Sequence, residues 1–168
     1  MNDPAIINAF VKAARDTIQT ELNLEIIRGA PSITPADQPG KPVLGLVGIT
    51  GDLEGIISLG VTRETACAIA STLMGEEMNE LTPLVESAIG EMCNVIGGSA
   101  SMQITGLGYS LNITPPVIIM GDDLKMSLGG MPRLTVPFHT PVGDIELKLA
   151  YHERGAGTES AIHLVAKS

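Results

Sequence analysis

An α+β fold, an antiparallel or mixed sheet covered by helices, is predicted for this 168-residue chain on three observations. Its first two thirds carry helical three- and four-residue apolar spacing interrupted by one hairpin. Its last third switches to short alternating runs, and nowhere does a regular βαβ alternation or a Gly-rich phosphate loop occur. With 44% hydrophobic and 17% charged residues, the chain has apolar surface enough for one core and reads as a single domain spanning 1–168.

The first helix starts with Asp3 as N-cap and Pro4 in the first turn, where the missing N–H of proline costs nothing. Ile7, Phe10, Val11, Ala14, Ile18 and Leu22 then form its one apolar face. Ala30 to Pro42 holds four prolines and a glycine among few apolar residues and reads as a loop. Val43–Ile49 and Leu53–Val61, joined by Thr50-Gly51-Asp52, read as a hairpin. Thr62 caps the next helix, whose Ala66, Ile69, Ala70 and Leu73 face inward until Gly75 ends it. A long helix follows, with Thr82 as N-cap and Pro83 as first residue. Gly97-Gly98 either breaks it or lies within it. Strands are expected at Val117–Met120, Arg133–Phe138, Ile145–Tyr151 and Ala161–Ala166. The pair Gly143-Asp144 precedes its strand much as Gly51-Asp52 does, which raises a duplicated helix-plus-hairpin unit as one reading and a reused Gly-Asp turn as the other.

A formal charge of −9 repels phosphate backbones and anionic headgroups, which disfavours nucleic acid and membrane surfaces as partners. Aromatic residues make up 2% and tryptophan is absent, so base-stacking platforms are disfavoured too, and the core must be built from Ile, Leu, Val, Ala and Met. Cys67 and Cys93 are isolated thiols at helical positions, outside any metal-ligand spacing, and are expected to be buried and reduced. The polar start has no signal-peptide pattern, and apolar runs such as Val117–Met120 are too short to span a bilayer, so a cytoplasmic location is expected.

The chemistry concentrates in the long helix. At about 100° per residue, Ser87, Glu91, Asn94 and Gly98 fall within an arc of roughly 60°, opposite Val85, Ala88, Ile89, Met92 and Ile96. A carboxylate and a carboxamide one turn apart can grip a cation and aim a water molecule, which suits hydrolysis on a docked partner. By spacing alone the same residues also describe a solvated helix face. Each of Gly90, Gly97 and Gly98 costs the helix about 1 kcal/mol against alanine. Gly98 lies on the stripe, where it either admits a partner's backbone or marks packing or a helix end; Gly90 and Gly97 lie beside it, placed to admit a neighbouring strand.

This pattern resembles the chemotaxis phosphatases of the CheX, CheC and FliY group, the CheX branch most. The group's signature is Ser or Asp, three residues, Glu, two residues, Asn, and a Pro some twenty positions on. Ser87, Glu91 and Asn94 match it, and Pro116, with Pro115 beside it, stands near the expected place. Ile7-Asn8-Ala9-Phe10, the run from Gly48 to Gly55 and the run from Ala70 to Gly75 also look like CheX, so the resemblance covers most of the chain.

The resemblance implies a CheC-like fold and a phosphatase that removes the aspartyl phosphate of a CheY-type response regulator. Glu91 would pair with a lysine of the regulator and dock the helix. Asn94 would orient the attacking water, with Ser87, Gly98 and Pro116 contacting the partner. No cofactor of its own is implied, since Mg²⁺ is expected in the regulator. The single Glu-x-x-Asn favours the CheX branch and implies a homodimer. A non-catalytic adaptor that binds a regulator or a flagellar switch component is the alternative.

Other candidates point to structure rather than chemistry. Asp122-Asp123 reads as a solvated turn, since no third carboxylate stands at metal-binding spacing. His139, His152 and His163 belong to no metal motif, and Ser58, Ser99 and Ser127 lack the setting of a hydrolase nucleophile. Met74, Met78, Met92 and Met102 are read as core-filling residues.

Overall fold

The computed structural model describes residues 3–35 and 38–155. Its elements are α1 (Pro4–Leu22), β1 (Ile27–Arg28), β2 (Ser32–Thr34), β3 (Val43–Gly51), β4 (Leu53–Val61), α2 (Arg63–Met74), α3 (Pro83–Thr105), β5 (Leu111–Ile113), β6 (Val117–Met120), β7 (Arg133–Thr140) and β8 (Gly143–Glu153). The α+β class holds, and every strand pairing is antiparallel. The expected strand at Ala161–Ala166 lies outside the described residues.

The sheet runs β1-β7-β8-β4-β3-β5, with β2 also on β7 and β6 also on β3. Two hairpins, β3-β4 and β7-β8, therefore meet at its centre through β4 and β8. Each outer hairpin strand is edged by short strands from the other half of the chain. β1 and β2, which follow α1, pair with β7; β5 and β6, which follow α3, pair with β3.

The period of two along the strands separates the faces. Val43, Val47 and Ile49 of β3, Leu53, Ile57, Leu59 and Val61 of β4, Val136 and Phe138 of β7, and Ile145, Leu147, Leu149 and Tyr151 of β8 join a single core. The buried sides of all three helices join the same core. Phe10 of α1 meets Tyr151 of β8 with ring centroids 5.9 Å apart.

Local chemistry sets the helix ends. The Asp3 carboxylate accepts from the Ala5 N–H, the Thr62 hydroxyl from the Thr65 N–H and the Thr82 hydroxyl from the Val85 N–H. Gly75 closes α2 in the left-handed conformation at φ 70°. Gly97-Gly98 does not break α3, which continues to Thr105.

Close seating of α3 on β3 explains two glycines. A Cβ on Gly45 would stand 2.5 Å from Cys93 Sγ and 3.1 Å from Ile89 Cγ2, and one on Gly97 would stand 3.0 Å from Ile113 Cδ1 and 3.3 Å from Val47 Cγ2. Gly97 thus admits the sheet as expected. Gly90 does not need to, because a Cβ there would meet Pro116 at an ordinary 3.7 Å.

Four expectations are corrected. Ile6, not Ile7, is fully buried on α1, and Ala9, Ala13 and Thr17 are buried with it. The apolar face is wider than the periodicity suggests because α1 packs against both α3 and the sheet. The segment from Ala30 to Pro42 is not all loop, since Ser32–Thr34 forms an edge strand between two prolines, a position that needs few ladder donors. Leu111–Ile113 forms a further strand that its composition did not announce. Of the four methionines, Met92 is in the core, but Met74 is 43% and Met102 is 74% exposed. Met102 lies on the side of α3 opposite the buried Cys93, and Met74 is the last residue of α2.

Gly45→Ala is expected to lower stability by about 1–3 kcal/mol, because the added methyl collides with Cys93 under a helix that cannot rise without opening the core. Denaturant unfolding checks this; an unchanged midpoint would contradict the close seating.

Candidate functional site

The buried side of α3 determines what its other side presents. Met92 and Cys93 point into the core at 1% and 3% exposure. One residue to either side, Glu91 and Asn94 are exposed, as is Ser87 one turn earlier. The three expected residues therefore stand together in solvent on one helix face. Among the described residues, the side chains of Glu91 and Asn94 have no intramolecular hydrogen bond or ion pair, so both are free for an incoming molecule.

They line an open cleft of about 670 Å³ between α3 and the segment joining β5 to β6. The helix supplies Glu86, Ser87, Gly90, Glu91 and Asn94, and the opposite wall is Ile113, Thr114, Pro115, Pro116 and Ile118. Pro116 is the proline nearer the helix, within 3.7 Å of the place a Gly90 Cβ would take, while Pro115 is exposed. Gly98 does not line the cleft. It sits one turn further along, with nothing within 4 Å of where its Cβ would be.

Sequence reasoning missed Glu86, which adds a second carboxylate to the helix side, and the apolar wall of Ile113 and Ile118. It also missed Thr114, whose hydroxyl accepts from the Gly48 N–H at 2.7 Å across 66 positions of sequence. Thr114 immediately precedes the two prolines, and nothing in that run names Gly48 as its anchor.

The arrangement offers carboxylates, one carboxamide, the hydroxyls of Ser87 and Thr114 and a proline wall, with no His, Lys or Cys in the lining. The Cys93 thiol lies beneath the stripe, and burial pushes it up from 9.0 to about 12. Among the described residues no three His, Cys, Asp or Glu side chains are grouped to hold a metal ion. Asp122 and Asp123 form an exposed turn, with Asp122 paired to Arg63 at 3.0 Å. His139 and His152 sit on strands beside Asp144 and Glu54, Ser58 is buried in β4, and His163 lies outside the described residues. No helix among the described residues is long and apolar enough to cross a membrane.

The sequence model of the family described as "Chemotaxis phosphatase CheX" matches residues 43–139, more than half of the chain. The chain belongs to the CheX family. Consistent with this, it is 35% identical over 155 residues to the CheY-P phosphatase CheX of Thermotoga maritima, covering 91% of this chain and 99% of that one. A CheX structure from Desulfovibrio desulfuricans superposes with TM-score 0.79 at 27% identity, covering 88% of this chain and 99% of the other. CheX of Borrelia burgdorferi, solved as a CheX–CheY–BeF₃–Mg²⁺ complex, superposes with TM-score 0.75 at 30% identity, covering 88% and 97%. The matched region contains the whole cleft of this CheX-family chain, from the Gly48 anchor on β3 to the Ile118 wall.

The Cys93 shift has a sign that experiment can read. The unfolded chain forms this thiolate near pH 9 and the folded one only near 12. The stabilising contribution is therefore complete below pH 9 and is lost as pH rises from 9 to 12. Thiolate absorbance is expected to show Cys93 ionising only near pH 12, with no labelling of Cys93 by thiol reagents at pH 8 while the protein is folded. Rapid labelling of Cys93 at pH 8 would contradict its burial.

Proposed function

We propose that this chain hydrolyses the aspartyl phosphate of a CheY-type response regulator, with Glu91 docking the helix and Asn94 orienting the attacking water. The observation that carries this reading is the exposed, unpaired Glu91–Asn94 couple facing a proline-walled cleft, in a chain of the family that includes a CheY-P phosphatase.

The regulator brings the phosphoryl group, its Mg²⁺ and a lysine, so the phosphatase needs no cofactor of its own. Glu91 pairs with that lysine and fixes the register of α3 over the regulator's pocket. Ser87 and Pro116 complete the contact, and Gly98 leaves backbone room one turn on. Asn94 then reaches the water and holds it in line with phosphorus. A carboxamide takes no proton at neutral pH, so its work is orientation, and charge stabilisation stays with the metal and lysine of the regulator. Phosphoryl transfer draws most of its catalysis from such positioning and electrostatics, so no strong base is needed.

The reaction is placed in the cytoplasm, with the enzyme as a homodimer. Edge strands support the dimer: Ile27 on β1 is 71% exposed, Ile33 on β2 is 60% exposed, and Val117 on β6 is 50% exposed, a combination that invites pairing between copies. A duplicated ancestry for the two halves is supported by their exchange of edge strands and by the N-cap-then-proline start shared by α1 and α3.

Phosphate release from purified phosphorylated regulators tests the reading. Asn94→Ala is expected to lower the stimulated rate by about a hundredfold or more with unfolding unchanged. Glu91→Ala is expected to raise KM about tenfold with a smaller loss in kcat. If the regulators of the same organism lose phosphate at their intrinsic rate with wild-type protein present, the phosphatase reading fails and a binding-only adaptor replaces it. Light scattering at micromolar concentration is expected to give twice the chain mass; a monomer would contradict the dimer.

A further inference from the structure

The wall of the cleft stands where the sheet interrupts its own ladder. β5 pairs with β3 as far as Ile113 opposite Ile49, and β6 resumes with Val117 opposite Leu46. Three residues, Thr114, Pro115 and Pro116, therefore face two, Val47 and Gly48. An extra residue of this kind bends the strand and re-aims its side chains. Neither proline has an N–H to give the ladder, so the segment would hang by its ends unless something else tied it down.

Thr114 supplies the tie. Its N–H donates to the Gly48 carbonyl at 3.0 Å, and its Oγ1 accepts from the Gly48 N–H at 2.7 Å, so a side-chain oxygen replaces the backbone acceptor that a regular pair would offer. The same hydroxyl donates to the Pro115 carbonyl at 3.4 Å, which uses both its donor and acceptor capacity. β3 is shaped to permit this: a Cβ on Gly48 would stand 3.0 Å from Thr114 Cγ2 and 3.1 Å from Oγ1. On the cleft side, the place of a Gly90 Cβ lies 3.7 Å from Pro116 and 3.9 Å from Ile118, so wall and helix are near contact and a small outward movement changes the cleft.

We infer that Thr114 is a positioning residue: its hydroxyl pins the Pro115–Pro116 wall to Gly48 and thereby sets the width of the cleft that receives the regulator. The inference rests on the function proposed above. Thr114 acts through the wall and not on the water, because Asn94 is carried by α3. Loss of the hydroxyl is therefore felt in docking more than in turnover.

The full-length protein is compared with Thr114→Val, which keeps the shape and removes the hydroxyl, and with Thr114→Ser, which restores it. Three readouts are taken: exchange of the Gly48 amide hydrogen, Kd for a regulator loaded with BeF₃⁻ and Mg²⁺, and the steady-state constants for its phosphorylated form. In Thr114→Val the Gly48 amide is expected to exchange faster, and Kd and KM to rise about fivefold, the equivalent of about one hydrogen bond, with kcat within about twofold. Thr114→Ser is expected to stay within about twofold of wild type throughout. Unchanged Gly48 exchange, unchanged Kd in Thr114→Val, or a serine variant as defective as the valine one overturns the inference. A wild-type protein that binds the loaded regulator without hastening phosphate loss sinks the phosphatase reading alone, since exchange and Kd still judge the tie.

Discussion

The seating of α3 directly on β3 governs the rest of the molecule. Hydrogen atoms at Gly45 and Gly97 occupy space that any larger side chain would share with Cys93, Ile89, Val47 and Ile113. The helix consequently lies close to the strand and turns Met92 and Cys93 into the core. With 100° between residues, Glu91 and Asn94 then have nowhere to go but outward. One packing contact thus makes the thiol inert and exposes the carboxylate and the carboxamide together.

Under the function proposed above, the site so formed is half of a reaction centre. It carries the groups that align and recognise, and it leaves the strong charges of phosphoryl transfer to the molecule that docks. Such a division suits a surface that must stay inactive until a phosphorylated partner arrives, because an exposed Asn and Glu do little to phosphoesters in water. The two long helices differ in charge, α3 carrying only acidic side chains, Glu86 and Glu91, and α1 two basic and two acidic ones. Counted from their first prolines, α1 has Lys12 and Arg15 where α3 has Glu91 and Asn94, and Lys12 and Arg15 line a cleft of about 360 Å³ together with Asn8, Val11 and Arg28. A pocket that presents a lysine is attracted to the α3 face, whereas on α1 Lys12 and Arg15 are both paired with Asp16.

Much of the fold was legible because local signals were strong. Asp3-Pro4, Thr62 and Thr82-Pro83 announced three helix starts, each of which the backbone N–H groups honour, and the Gly51-Asp52 turn announced the first hairpin. Legibility failed where pairing is remote. Ser32–Thr34 and Leu111–Ile113 are three residues each, too short to show a period, and become strands because β7 and β3 offer them open edges. Ile6 joined the core, with Ile7 packed at its margin, for a related reason, since a helix touched on two sides buries more than one stripe. The exposed Met74 and Met102 show that hydrophobicity alone does not decide burial.

For the site, the helical spacing of Ser87, Glu91 and Asn94 was sufficient by itself to put three side chains on one face, because 3.6 residues per turn is a property of the backbone and not of its surroundings. Whether that face looked into the core or into solvent was a tertiary matter, decided by the side of α3 bearing Gly97 fitting against Gly45 and Val47 of β3. The opposite wall was likewise decided only in three dimensions: Pro115 and Pro116 face α3 across the cleft, next to a Thr114 that is hydrogen-bonded to Gly48, far away in sequence. Periodicity reports neighbours one turn apart; contacts between distant segments depend on how the sheet is assembled.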